Sequence, residues 1–379
     1  MRAFNLTVRR TLGISLALST LLASCQLSPS VSTARPQAAV QVFLWGNPDT
    51  TDRDLKLAKD GGFAWVKQLF EWRNIEKAGK GQFEWTEPDR VVGAVDGAGL
   101  KLVARVDESP AWSRSVQVYP DDGPPDHLSD WTDYLTAFAS RYKGRIAAYE
   151  IWNEPNLMRE WGDEPPDASA YVTMLKASYA AIKAVDPSAL VITAGLSPTT
   201  DISEQATADT VYLQDMYAEG AKGSFDLLGA NAAGFRSPPE ADPAAVANDP
   251  VATNHDPSSA TLRRVYAFRH VEDLRQIMVD AGDERKGIAI LETGWTSDTR
   301  PGSSYAWFGV SEDTKGDYLA RAFAYTRENW PWAAFMTVIY IPDPRWADNQ
   351  EEVYWSITQR NGAPLPAYND LKQTLTSKR

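Results

Sequence analysis

Cysteine is almost absent: the 379 residues contain one, Cys25. An intrachain disulfide is therefore impossible, as is a zinc or iron–sulfur site built on thiolates. Histidine is nearly as scarce. His127, His255 and His270 lie far apart with no metal-ligand spacing, so the sequence calls for no metal and no cofactor. Cations are outnumbered, 38 Lys and Arg against 50 Asp and Glu, for a net charge of −12. That balance argues against nucleic acid as a partner, because phosphate binding needs clustered Lys and Arg. What the chain does have is 43% apolar residues and many aromatics, with 14 Trp, 15 Tyr and 12 Phe. It is too apolar to be disordered.

The first residues read as an export signal. Arg2, Arg9 and Arg10 precede the apolar run Leu12–Ala23, which is too short to span a bilayer comfortably. The run ends in Leu22-Ala23-Ser24-Cys25, which resembles the bacterial lipobox. The expectation is a signal peptide over 1–24, lipidation of Cys25, and a Ser/Pro-containing tether over 25–37. The membrane is then a partner through the lipid alone, with the protein outside the cytoplasm. Residues 38–379 form a single domain.

From Val40 onward, short apolar runs alternate with amphipathic helical patterns. Strands are expected at 41–45, 64–69, 100–106, 146–152, 189–194, 225–230, 287–292 and 335–341. Helices are expected near 52–60, 87–98, 129–142, 168–185, 209–219, 260–281, 312–329 and 366–376. Ser129, Asp167 and Ser311 suit helix starts. Eight strand-then-helix units match an α/β fold of the (β/α)8 TIM-barrel type. A doubly wound sheet is the competitor, but no Gly-rich phosphate turn follows any strand. Helix-to-strand connections are short, whereas strand-to-helix segments such as 107–128, 231–259 and 342–365 are long. In a barrel those long loops share the C-terminal face, where active sites are built.

Two carboxylates end apolar strands just before a turn: Glu154 after strand 4 and Glu292 after strand 7. Acetal hydrolysis needs two carboxyl groups in different protonation states and no cofactor. Trp152 and Trp161 are candidate apolar walls for Glu154, and Lys67 is a candidate cation for Glu292. Trp112, Trp295, Trp72 and Phe235 are candidate sugar-stacking rings, with core packing as the alternative. Tyr340, at the tip of strand 8, suits structure or substrate equally.

The stretch Tyr149-Glu150-Ile151-Trp152-Asn153-Glu154-Pro155-Asn156 resembles the strand-4 motif of clan A retaining glycoside hydrolases. Leu291-Glu292-Thr293-Gly294-Trp295 is similar to the strand-7 motif of that clan. The likeness extends over the barrel and looks closest to family thirty-nine and to cellulase-like (β/α)8 hydrolases. It implies Glu154 as general acid/base, Glu292 as nucleophile and Asn153 as holder of a sugar 2-hydroxyl. One departure stands out. The clan often places His and Tyr at the end of strand 6, where this chain has Asn231 and Ala233. Tyr340, or failing that Asn231, is expected to reach Glu292 in their stead.

Two readings result. One is a retaining β-glycoside hydrolase acting on oligo- or polysaccharide. The other is a lipid-anchored carbohydrate-binding barrel with little catalysis, suggested by the altered strand 6. A metal-dependent barrel hydrolase is disfavoured because no His lies at a strand tip.

Overall fold

A computed structural model describes residues 35–116 and 123–377. The signal stretch, Cys25 and nearly all of the expected tether lie outside the described residues. Eight parallel strands close a barrel in chain order: β1 (Gln37–Gln41), β2 (Trp65–Glu71), β3 (Lys101–Asp107), β4 (Ala148–Ile151), β5 (Leu190–Thr193), β6 (Leu227–Ala233), β7 (Gly287–Gly294) and β8 (Ala333–Val338). One principal helix follows each: α1 (Pro48–Asp60), α2 (Thr86–Ala98), α3 (Leu128–Arg141), α4 (Ala168–Val185), α5 (Asp209–Ala218), α6 (Val271–Asp280), α7 (Glu312–Asn329) and α8 (Pro366–Thr376). This is the TIM barrel that the alternation predicts.

Strand 1 lies four residues before its expected place. The ladder to β2 runs from Ala39↔Trp65 to Gln41↔Lys67. Soon after, the Gln68 side chain takes the Leu44 amide at 2.6 Å. Val42 and Leu44 are therefore buried without being strand. The helix expected over 260–281 is also divided. Ala267 is extended (φ −108°, ψ 137°), separating short 3-10 turns from α6. That break lets Tyr266 face Phe235 and Trp307 while Phe268 packs on Trp295 and Trp330. Asp167 and Ser311 cap α4 and α7 through their side chains. Ser129 does not cap α3, which already begins at Leu128.

Every strand contributes to an apolar plug inside the barrel, made of Ala39, Trp65, Val103, Ala148, Ile192, Leu227, Ala289, Leu291 and Phe335. Trp65 and Phe335 stack within it, ring centroids 4.9 Å apart. A larger cluster packs the outside of the strands against the helices. Strand side chains alternate with period two, so the next inward positions above the plug are Lys67, Arg105 and Glu150. The barrel thus carries a charged layer on an apolar base, and the long strand-to-helix loops close around it. No helix among the described residues is long and apolar enough to cross a membrane.

Candidate active site

The loops enclose a cleft of about 740 Å³ on the C-terminal face, lined by Glu154 and Glu292 among others. Two local irregularities bring these carboxylates there. After β4 the chain takes left-handed conformations at Trp152 (φ 72°) and Glu154 (φ 38°), which non-glycine residues rarely adopt. The kink sends Trp152 into the outer core, edge-on to Trp131 and Trp161. Asn153 and Glu154 are left facing the cleft. On β7, the register against β6 passes from Ala230↔Ile290 to Asn231↔Glu292. The extra residue, Leu291, fills the plug and the bulge re-aims Glu292 upward.

The two carboxylates have opposite surroundings. Glu292 Oε1 lies 3.3 Å from Lys67 Nζ and 4.0 Å from Arg105 Nη1. Lys67 is fully buried, bridging Glu292 to Glu150 at 3.1 Å. It therefore sits beneath the cleft and does not contact substrate as a lining residue. Burial pushes the Glu150 carboxyl up, against the pull of Lys67 and Arg105. Glu154 meets no buried cation. Burial first, then the charges of Glu292 and Glu160, push its pKa up to about 7; Arg159 and Asn231 pull the other way. Its side chain is 13% exposed.

Asn231 Nδ2 donates to Glu154 Oε1 at 3.0 Å, so the amide serves Glu154 rather than Glu292. A Cβ on Gly195 would lie 2.2 Å from Asn231 Oδ1, so a glycine is needed there. Tyr340 lines the cleft without a described hydrogen bond to Glu292. Its ring packs edge-on to Phe43 and Trp346. Burial, then the charge of Glu292, raises its phenol well above the usual 10. The side-chain donor that does reach Glu292 is Lys67, at 3.3 Å.

Asn153 donates to Glu160 Oε2 at 3.1 Å. The amide oxygens of Asn153, Asn231 and Gln41 are buried and without a partner among the described residues, and all three residues line the cleft. Buried acceptors of this kind normally find a donor.

The stacking candidates divide. Trp295 is fully buried: its Nε1 donates to Ser237 O at 3.0 Å and its ring packs on Phe268 and Tyr318. Trp72 is also fully buried. Trp112 is outside the cleft lining, with Nε1 held by Glu76 O at 2.6 Å and its ring edge-on to Trp72. None of these three can offer a face to a sugar in the cleft. Phe235 does line it, together with Phe43, Tyr266, Trp307 and Trp346. Sequence pattern does not mark the other four rings, nor Gln41, Arg105, Arg159 and Glu160. Period-two counting from Lys67 along neighbouring strands would have found Arg105; irregular loops leave no such signal for the rings.

No group of three or more His, Cys, Asp or Glu among the described residues could hold a metal ion. In structure the chain resembles a family 39 glycoside hydrolase from the gut symbiont Bacteroides cellulosilyticus WH2. The TM-score is 0.65 at 18% identity, over 90% of this chain and 64% of that one. It also resembles the family 39 enzyme from Xanthomonas axonopodis pv. citri, with TM-score 0.60 and 17% identity over 89% and 65% of the two chains. The chain thus spans just under two thirds of each. Xylanase 10B from Thermotoga petrophila RKU-1 aligns with TM-score 0.56 and 12% identity, over 90% and 94%. At these identities the likeness is one of fold. No curated protein matches in sequence. The model of the cellulase family, glycosyl hydrolase family 5, matches residues 28–254, which include Glu154 but end before Glu292. With more than half its length matched, the chain belongs to that family and is a clan A glycoside hydrolase.

Proposed function

We propose that the enzyme is a retaining β-glycoside hydrolase that cleaves O-glycosidic bonds in oligo- or polysaccharide by double displacement. One observation carries this reading. Two glutamates at the ends of β4 and β7 share a cleft, one with its pKa raised to about 7 and the other beside Lys67 and Arg105. A carboxyl that keeps its proton near neutral pH can protonate a leaving oxygen. A carboxylate whose charge is balanced by neighbouring cations can attack the anomeric carbon. Glu154 is thus the acid/base and Glu292 the nucleophile. The partnerless amide oxygens of Gln41, Asn153 and Asn231 suit sugar hydroxyls, which can donate to them. Asn153 is the candidate for the 2-hydroxyl. The aromatic walls suit the C–H faces of sugar rings.

A 2-fluoro β-glycoside with a good leaving group tests this, because its glycosyl-enzyme accumulates. Peptide mass spectrometry should find the label on Glu292, and Glu292→Gln should abolish both label and turnover. A label on another carboxylate, with turnover intact in E292Q, refutes the assignment. A panel of aryl β-glycosides, xylan and β-glucans would identify the sugar. We further propose export and lipid anchoring through Cys25. Cys25→Ala should move the protein from the membrane to the soluble fraction, and unchanged partition would reject the anchor.

A further inference from the structure

We propose that Arg159 is a displaceable clamp on Glu154, pairing with its carboxylate in the free enzyme and leaving it when a sugar enters. Arg159 is then a positioning residue for the acid. The inference rests on Glu154 being that acid.

Each oxygen of Glu154 already accepts one hydrogen bond. Oε1 accepts from Asn231 at 3.0 Å, and Oε2 accepts from Arg159 Nη2 at 3.2 Å. A general acid must present one oxygen to the glycosidic oxygen within hydrogen-bond reach. A carboxyl oxygen can accept two bonds, so space alone displaces neither partner; the acid proton, however, must sit on an oxygen turned to the substrate, and a guanidinium on that oxygen opposes it. Asn231 is 5% exposed and is seated against Gly195. Arg159 has a side chain 69% exposed, on the short 3-10 turn Met158–Glu160, and it lines the cleft. It is the movable partner. It also has somewhere to stay, because its Nε lies 3.3 Å from Glu160 Oε1. Swinging the guanidinium off Glu154 keeps the Glu160 pair and leaves Asn153 on the other Glu160 oxygen.

The charge consequence has one sign. Facing Glu154 are Arg159 and Glu160 of its own loop, Asn231 of β6 and Glu292 of β7. Lys67 and Glu150 lie beneath Glu292, Arg105 lines the cleft beside it, and Tyr340, Glu351 and Glu352 face the same cleft from the segment after β8. Of the cations, Arg159 is the one bonded to Glu154. When it leaves, Glu154 holds its proton to higher pH. The free enzyme therefore rests with a partly ionised acid, and substrate entry makes the acid competent.

Paired pH profiles on a phenyl β-glycoside test this, because kcat/KM reports groups of the free enzyme and kcat those of the complex. In the wild type the alkaline limb of kcat/KM should fall at lower pH than that of kcat. Arg159→Gln should raise the kcat/KM limb by about half a pH unit, a modest shift because the pair is largely exposed, and leave the kcat limb in place. Arg159→Lys should restore most of the gap. Salt at about 0.5 M should mimic R159Q in the wild type and change the variant little. An unmoved kcat/KM limb in R159Q, or equal shifts in both limbs, overturns the clamp. Failure of the acid assignment has a different signature: Glu154→Ala would slow activated and unactivated aryl glycosides equally, with no rescue by azide. That result overturns the clamp as well.

Discussion

Buried charges in this protein are held by specific polar partners, and removing one partner exposes what the other group costs. Lys67 is the plainest case. It sits between Glu150 and Glu292 with 1% of its side chain exposed. Lys67→Met should leave two carboxylates short of a counter-charge and destabilise the fold by about 3–5 kcal/mol. Adding Glu150→Gln should recover much of that loss in urea unfolding. Recovery would show that charge balance, not packing of the lysine stem, sets the cost. Asn231 is a second case. Its donation helps hold Glu154 ionised, so Asn231→Ala should move the alkaline limb of kcat/KM upward and reduce turnover. Gly195→Ala should do the same, because its Cβ would displace the Asn231 amide. If G195A left the limb unchanged while N231A moved it, the Gly195 contact would have no part in seating the amide.

At the level of elements, α5 and α6 are joined at their N-terminal ends by an ionic clasp. His270 lies 2.9 Å from Asp209 at the start of α5 and 3.0 Å from Asp273 in the first turn of α6. Burial opposes the imidazolium, but Asp209 and then Asp273 outweigh it and raise the pKa from 6.5 to about 9. The folded value exceeds the unfolded one. The clasp therefore stabilises fully below pH 6.5, and that stability is lost as pH rises through about 9. His270→Gln should cost up to about 3 kcal/mol at pH 6 and nearly nothing above pH 9. Thermal unfolding at several pH values checks this, and a loss independent of pH would assign the histidine a packing role only. Elements were also where the sequence was most legible. Seven strands and most helices lie within a few residues of expectation because an apolar run and its breakers are local signals. The same periodicity placed Glu154 and Glu292 at strand tips. It failed at Trp72 and Trp295, which residue type alone suggested for the cleft. Tertiary packing carries those rings into the core. The rings that do line the cleft come from segments after β1, β6, β7 and β8 whose conformation follows no period.

Across the whole molecule, the titrating groups fall into two sets that act on opposite sides of a mildly acidic window. Burial raises the carboxyls of Asp54, Glu76, Glu150, Glu154 and Glu351. For each, the folded state holds its proton more tightly than the unfolded chain, so stability falls as pH rises from the unfolded value toward the folded one. His270 adds a loss between 6.5 and about 9. On the other side, hydrogen bonds from Arg300 to Asp298, and from Ser258 and Tyr266 to Asp256 against the cost of burial, lower both pKa values to about 2. Their contribution is present above 3.8 and disappears as pH falls toward 2. The unfolding temperature should therefore peak near about pH 4 to 4.5 and decline from there to pH 9. Glu154→Gln should flatten part of that decline between 4.5 and 7, because it removes a buried group that must otherwise ionise. The same substitution should abolish acid catalysis of substrates with poor leaving groups. A stability gain above pH 7 coupled to that loss of activity would identify Glu154 as a group held against its own stability for the sake of the reaction. A variant with no gain in unfolding temperature at pH 8 would show that burial of Glu154 does not strain the fold, and the raised pKa would lose its physical basis.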